Sequence, residues 1–253
     1  MSRKFVTRLR RPANSARDLP ALRGLDQVDW ATLEHAHGKA TDVPVLLRAA
    51  ACDDRHAREL AFELLAESIW HQGSVYSATA PAVAFLYRML EADETPDKQQ
   101  VAVLLASIAG YQFATLPDDP AAVADDAWVA TRRAVAERLD LLYPYLRDPD
   151  WGVRHAVAWT IGRFPEIAVR LLPNLEAAYR KERNEAVRLG LAWAVGQSPD
   201  GAARVLPDLE AALRNAPDQW QRQAYRGVID RLSERVEPGA AAYRAGDSGT
   251  RGV

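Results

Sequence analysis

Apolar positions recur with a helical period from about residue 42 to residue 235, and they fall into paired stripes. Prolines mark several of the starts. Asp148-Pro149, Ser198-Pro199, Thr95-Pro96 and Asp119-Pro120 each set a capping side chain beside a proline, which gives up no hydrogen bond in a first helical turn. Starts and stripes together predict helices at about 43–51 and 54–70, 80–91 and 97–109, 138–147 and 150–163, 166–180 and 183–196, then 200–214 and 218–235. A short helix near 29–36 is expected in front, and the insertion from Tyr111 to Glu137 is expected to add one more. No segment alternates like a strand, so the expected class is all-α.

The pattern also repeats. Leu172-Pro173-Asn174-Leu175-Glu176-Ala177-Ala178 returns 34 residues later as Leu206-Pro207-Asp208-Leu209-Glu210-Ala211-Ala212. Ala158-Trp159-Thr160-Ile161-Gly162 returns at the same step as Ala192-Trp193-Ala194-Val195-Gly196, and Arg154, Arg188 and Arg222 keep it too. A fixed period of this size marks a stacked array in which each unit buries its apolar face against its neighbours. The expectation is one right-handed α-solenoid of about five hairpins over residues 26–236, with 1–25 as a flexible arm and 237–253 as a disordered tail.

Hydrophobic residues make up 48% of the 253, enough for a continuous core, and Ala and Leu supply much of it. The net charge of −2 and pI near 6.2 disfavour a protein dedicated to coating a phosphate backbone. Locally the balance differs. Arg3, Lys4, Arg8, Arg10, Arg11, Arg17 and Arg23 face only Asp18 in the first 25 residues, which reads either as an arm for an acidic partner or as a solvated tail. The lone Cys52, the lack of an apolar leader and the lack of any membrane-length apolar run predict a soluble, cytoplasmic chain.

Asp148-Pro-Asp150-Trp-Gly-Val153-Arg154-His-Ala156-Val157-Ala-Trp-Thr160-Ile161-Gly162 resembles the second helix of a HEAT repeat, an armadillo-like unit. The resemblance is good for the third and fourth hairpins, fair around Asp54–Leu65 with Arg58 and for the last with Arg222, and poor for the second, where Gln100 replaces arginine. Trp30-Ala-Thr-Leu33-Glu-His35-Ala-His37-Gly38, Asp42-Val43-Pro44 and His71-Gln72-Gly73-Ser74-Val75-Tyr76 resemble a group of bacterial HEAT-repeat proteins. That resemblance implies protein binding, with an immunity or scaffold role.

Two constellations could carry function. On the helix from Trp151, the residues Trp151, His155, Trp159 and Arg163 form one stripe at steps of four, and the next repeat brings Trp193 and Gln197 to it. If this stripe lines the concave surface, it offers an aromatic strip to a partner helix, a peptide or a base; otherwise the tryptophans cement adjacent repeats. The second constellation is the loop carrying Trp70, His71, Gln72 and Tyr76, which reads as a recognition loop or as a helix C-cap. A metal site of His35, His37 and His71 is not expected, since residues two apart on a helix point roughly 200° from each other. Asp118, Asp119, Asp125 and Asp126 read as helix-start charges.

Catalytic templates are absent: no nucleophile elbow, phosphate loop, dinucleotide fingerprint or His-Glu-x-x-His. No cofactor or metal is expected. The leading function is a non-enzymatic module binding a protein partner along the concave helix face. Two alternatives stand: a HEAT-like nucleic-acid binder or alkylpurine DNA glycosylase-like enzyme, and a small-molecule enzyme using the His71 loop. Trp193 and Trp151 with Arg154 faintly resemble stretches of the glycosylases, but the helix from Trp128 carries Arg132 and Arg133 where that family needs an aspartate. Oligomeric state is open.

Overall fold

The second helix of each pair begins on a side chain that caps its first turn. In the computed structural model, which describes residues 3–16, 19–110 and 126–236, Asp54 accepts from Ala57 N–H at 3.0 Å, Asp97 from Gln100 at 3.1 Å and Asp150 from Gly152 at 2.8 Å. Asn184 and Asp218 do the same for Ala186 and Gln221 at 3.0 and 2.8 Å. Four residues after three of these caps stands an arginine whose Nη1 donates to the carbonyl six residues back: Arg58 to Cys52, Arg154 to Asp148 and Arg222 to Ala216, at 2.6–2.9 Å. Those carbonyls lie in the turn between paired helices, where the backbone has no helical partner. Cap and arginine together fix each hairpin's bend.

Backbone contacts divide the chain into two compact units, Met1–Tyr143 and Pro144–Val253. Regular 34-residue spacing is confined to the second. In the first unit, α1 (Arg3–Ser15) packs on α2 (Val43–Ala50), followed by α3 (Arg55–Ile69), α4 (Thr79–Glu91), α5 (Lys98–Ile108) and α6 (Asp126–Ala136). The second contains α7 (Trp151–Gly162), α8 (Pro165–Arg170), α9 (Leu172–Lys181), α10 (Glu185–Val195), α11 (Pro199–Asn215) and α12 (Gln219–Val236). The class is all-α, as expected.

Several expectations need correction. The basic N-terminal stretch is not a loose arm over its described length. Leu9, Ala13 and Ala16 are buried while Arg8, Arg10 and Arg11 stay in solvent, so the arginines cover the outer face of an amphipathic helix. Residues 20–27 form two short 3-10 turns held by Arg88 Nη1 donating to Arg23 O and by an Arg48–Asp26 pair. Residues 139–147 wind as 3-10 helix around Pro144, and 166–180 splits into α8 and α9 just before Pro173. No helix forms at 29–36. Instead β1 (Glu34–His35) pairs with β2 (Gly38–Lys39), and past α3 β3 (Trp70–His71) pairs with β4 (Ser74–Val75). Most of the insertion (111–125, with Asp118, Asp119 and Asp125) and the tail 237–253 lie outside the described residues, while Asp126 does open α6.

The second unit's core is set by close approach of α7 to α10. A β-carbon on Gly162 would collide with the Trp193 indole, and one on Gly190 would meet Cδ1 of Trp159 at 2.9 Å. The two indoles stack with ring centroids 6.0 Å apart. Gly162→Ala should therefore cost roughly 1–3 kcal/mol through overpacking. Gly227→Ala should gain about 0.5–1 kcal/mol, because that helical position is exposed and meets nothing within 4 Å. Urea unfolding midpoints moving in opposite directions for the two variants check both claims.

Candidate functional site

The aromatic stripe survives in the structure, but it runs from solvent into the core. Trp151 is 51% exposed, its ring 6.3 Å from His155, which lies 6.2 Å from Trp159, which stacks on Trp193. Trp193 is only 2% exposed, and Arg163 and Gln197 are buried as well. These three are therefore not surface ligands. The small residues Gly162 and Gly190 draw α7 and α10 together and enclose Trp193 between repeats, and Gln197 turns its amide back onto the Trp193 carbonyl at 2.8 Å. Arg231 approaches Trp193 from α12, its guanidinium 5.8 Å from the ring. That leaves Trp151, His155 and Trp159 of the expected strip.

His155 has a defined protonation preference. Its Nδ1–H donates to Ala186 O at 3.0 Å, and burial holds the imidazole below its usual value. A neighbouring hub behaves differently. Arg154 grips Glu182 through Nε at 2.8 Å and Nη2 at 3.2 Å, while the Arg183 and Asn184 N–H groups donate to the same carboxylate. Burial pushes the Glu182 carboxyl up, yet these donors outweigh it and hold it below the usual carboxylate range.

A pocket of about 220 Å³ opens nearby, lined by Tyr179, Arg188, Asp208 and Tyr225 among others. Tyr179, Arg188 and Asp208 in it engage one another. Tyr179 Oη donates to Asp208 at 3.1 Å, and Arg188 lies 3.7 Å from Asp208 and over the Tyr179 ring. Burial raises both tyrosines' pKa values. The volume is below the ~300 Å³ of typical ligand sites.

The His71 segment is a tight β-hairpin, neither an open loop nor a simple C-cap. Gln72 (φ 50°) and Gly73 (φ 89°) occupy its turn, the positive-φ pair that a two-residue hairpin demands. Trp70 and Tyr76 are half-buried, Gln72 is exposed, and Tyr76 N–H donates to Thr79 Oγ1 at 2.9 Å. The hairpin at Glu34–Lys39 lies against it: Ala36 N–H donates to Ser68 O and Ala78 N–H to Glu34 O, each at 3.0 Å, and Glu34 N–H donates to Ser77 Oγ at 2.8 Å.

This arrangement separates the histidines. His35 is buried, its Nδ1 accepting from His37 N–H at 2.9 Å and its Nε2–H donating to Asp42 at 2.8 Å. His37 instead meets His71, ring centroids 5.7 Å apart, and His71 Nδ1 stands 3.1 Å from Glu67 Oε2. Donor atoms of His37, Glu67 and His71 all lie within 4.8 Å of one another. Desolvation, aided by the His35 and His71 rings, lowers the His37 pKa. The expectation against a histidine cluster assumed a helix at 29–36; a hairpin turns residues 35 and 37 to different partners. Sequence reasoning missed Glu67. Its i, i+4 spacing to His71 and the glycines at 38 and 73 are the signals that could have found the cluster.

A family model described as HEAT repeats matches residues 139–229. An engineered protein whose crystal structure was solved by the Northeast Structural Genomics Consortium superposes with a TM-score of 0.51 at 17% identity, over 90% of each chain. At that identity the likeness speaks for the fold alone. No curated protein matches this sequence. Residues 139–229 are thus similar to HEAT repeats, and no helix among the described residues is long and apolar enough to cross a membrane.

The His155 environment yields a pH dependence. Its folded pKa lies below the unfolded value of about 6.5, so the unfolded chain takes up the proton first and stability is lost as pH falls from that value through the folded one. Glu182, also depressed, adds a loss of the same sign at lower pH, below its unfolded value of about 4.3. His155→Asn keeps a donor for Ala186 O and cannot titrate. Thermal midpoints measured between neutral and mildly acidic pH should fall less steeply in this variant than in the parent chain.

Proposed function

We propose that this chain is a non-enzymatic protein-binding module, its partner engaged by the exposed end of the aromatic ladder at Trp151, His155 and Trp159. HEAT repeats commonly mediate protein interactions, and the ladder lies within the matched residues. The observation that carries the reading is the gradient along the ladder: a half-exposed indole whose ring column ends in the stack of Trp159 on the buried Trp193. A tryptophan held rigid in this way loses little side-chain freedom on binding and is the residue type most enriched among binding hot spots. A role as an immunity or scaffold protein in a bacterial system is the finer form of this proposal.

The glycosylase alternative gains nothing here. Trp128 carries the Arg132 guanidinium 5.7 Å from its ring, a cation where that chemistry wants a carboxylate. Arg58, Arg154 and Arg222 are committed to turn carbonyls.

Affinity capture from source cells tests the proposal. Trp151→Ala should fold as the parent does and lose its captured partner, a truncation worth about 2 kcal/mol or more at a hot spot. Trp193→Ala should instead lose roughly 3–5 kcal/mol of folding stability. An unchanged partner set with Trp151→Ala would sink the reading, and steeply salt-dependent binding to duplex DNA would favour the nucleic-acid alternative.

A further inference from the structure

We propose that His37, Glu67 and His71 form a binding site for a borderline divalent transition-metal ion of the Zn²⁺ class, open to solvent on one side. The three side chains come from two separate hairpins and the end of α3, so their meeting is a product of the fold rather than of local sequence. Glu67 and His71 lie one helical turn apart where α3 passes into β3. His37 is brought over that turn because its neighbour Ala36 donates to the Ser68 carbonyl at 3.0 Å. Its own N–H is held by His35 Nδ1, and His35 is in turn anchored on Asp42 at 2.8 Å.

The donor set suits such an ion. Two imidazoles and one carboxylate are the protein ligands of many open zinc sites, with the fourth position left for water or an incoming group. Ligand atoms about 2.0–2.2 Å from Zn²⁺ stand roughly 3.3 Å from each other in a tetrahedron. The His71 Nδ1 to Glu67 Oε2 separation is already 3.1 Å, and all three donors lie within 4.8 Å of one another, with the His37 ring exposed.

A second observation points the same way. His71 Nδ1 is shielded from solvent and has no hydrogen bond of proper direction, although the carboxylate is near. Polar nitrogens in such positions are normally satisfied. An ion between the imidazole and the carboxylate satisfies both. A simple exposed ion pair between Glu67 and His71 explains neither this misalignment nor the convergence of His37, and such pairs contribute little.

The test is calorimetric titration of Zn²⁺, and optical titration of Co²⁺, into the full chain stripped of metal with a chelator. One equivalent should bind, and the Co²⁺ form should show the visible absorption of a low-coordinate nitrogen and oxygen site. His37→Ala, Glu67→Gln and His71→Ala should each weaken binding by more than the roughly 10–100-fold that loss of an outer supporting group costs. Their far-UV circular dichroism should match the parent's, because His37 and Glu67 are exposed and His71 half-exposed. Cys52→Ser and His56→Ala should bind as the parent does. Absence of saturable binding overturns the proposal. So does binding that survives all three ligand substitutions, which would place the ion elsewhere.

Discussion

Two indoles pressed against two glycines set the register of the second unit. Trp159 of α7 occupies the space a side chain on Gly190 of α10 would need, and Trp193 of α10 occupies that of Gly162 of α7. The contact is reciprocal, and it can be satisfied at one alignment only. Sliding either helix by a turn, about 5.4 Å, would set an indole against a β-carbon; Ala158 Cβ is already 3.3 Å from where a Gly190 side chain would begin. Packing of this kind supplies uniqueness as well as stability, since no other register fills the space. The outward end of the ladder follows from it. Once Trp159 and Trp193 are fixed, His155 and Trp151 are carried up the same face of α7 toward solvent.

Polar interactions reinforce that register without setting it. Arg154 both closes its own turn through the Asp148 carbonyl and crosses to Glu182, which accepts from the backbone leading into α10. One guanidinium thus ties the start of α7 to the start of α10. The next arginine in the series cannot repeat the arrangement. The position 28 residues after Arg188, where Glu182 stands relative to Arg154, is Ala216, which offers no carboxylate, and Arg188 turns instead to Tyr179 and Asp208. The polar pocket around Tyr179 is a consequence of this displaced side chain.

Period and capping made the helices legible in the sequence. Arg154, Arg188 and Arg222 mark the step; of the expected proline-marked starts Ser198 does cap α11, whereas α5 and α7 are capped two residues beyond Thr95 and Asp148, by Asp97 and Asp150. Which of the two readings held for each tryptophan was not legible: Trp193 is buried between repeats and Trp159 only half-buried. A stripe at steps of four gives the direction of a side chain, but the depth to which it sinks depends on the helix facing it, and that is governed by Gly162 and Gly190. The hairpins escaped notice for a different reason. Each strand is two residues long, too short for alternation to register against the helical stripes on either side. With a short helix expected near 29–36, His35 and His37 were set apart by the wrong geometry, and nothing drew Glu67 to them.

The first unit departs from a plain helical array at these hairpins. A connection between paired helices needs only about 2–8 residues and no strands. Here the stretch after α3 is folded into a turn with a non-glycine residue at positive φ, Gln72, a conformation that persists only where its surroundings hold it. The surroundings do so. Thr79 Oγ1 donates to Ile69 O at 2.5 Å and accepts from Tyr76 N–H, and the other hairpin is bonded to both flanks of this one. Mutual bracing makes two exposed turns stiff, and stiffness lets side chains from different segments keep a common geometry in solvent. In the second unit the same rigidity comes from aromatic packing and is expressed as a surface of indole and imidazole. In the first it comes from backbone hydrogen bonds and is expressed as converging polar ligands.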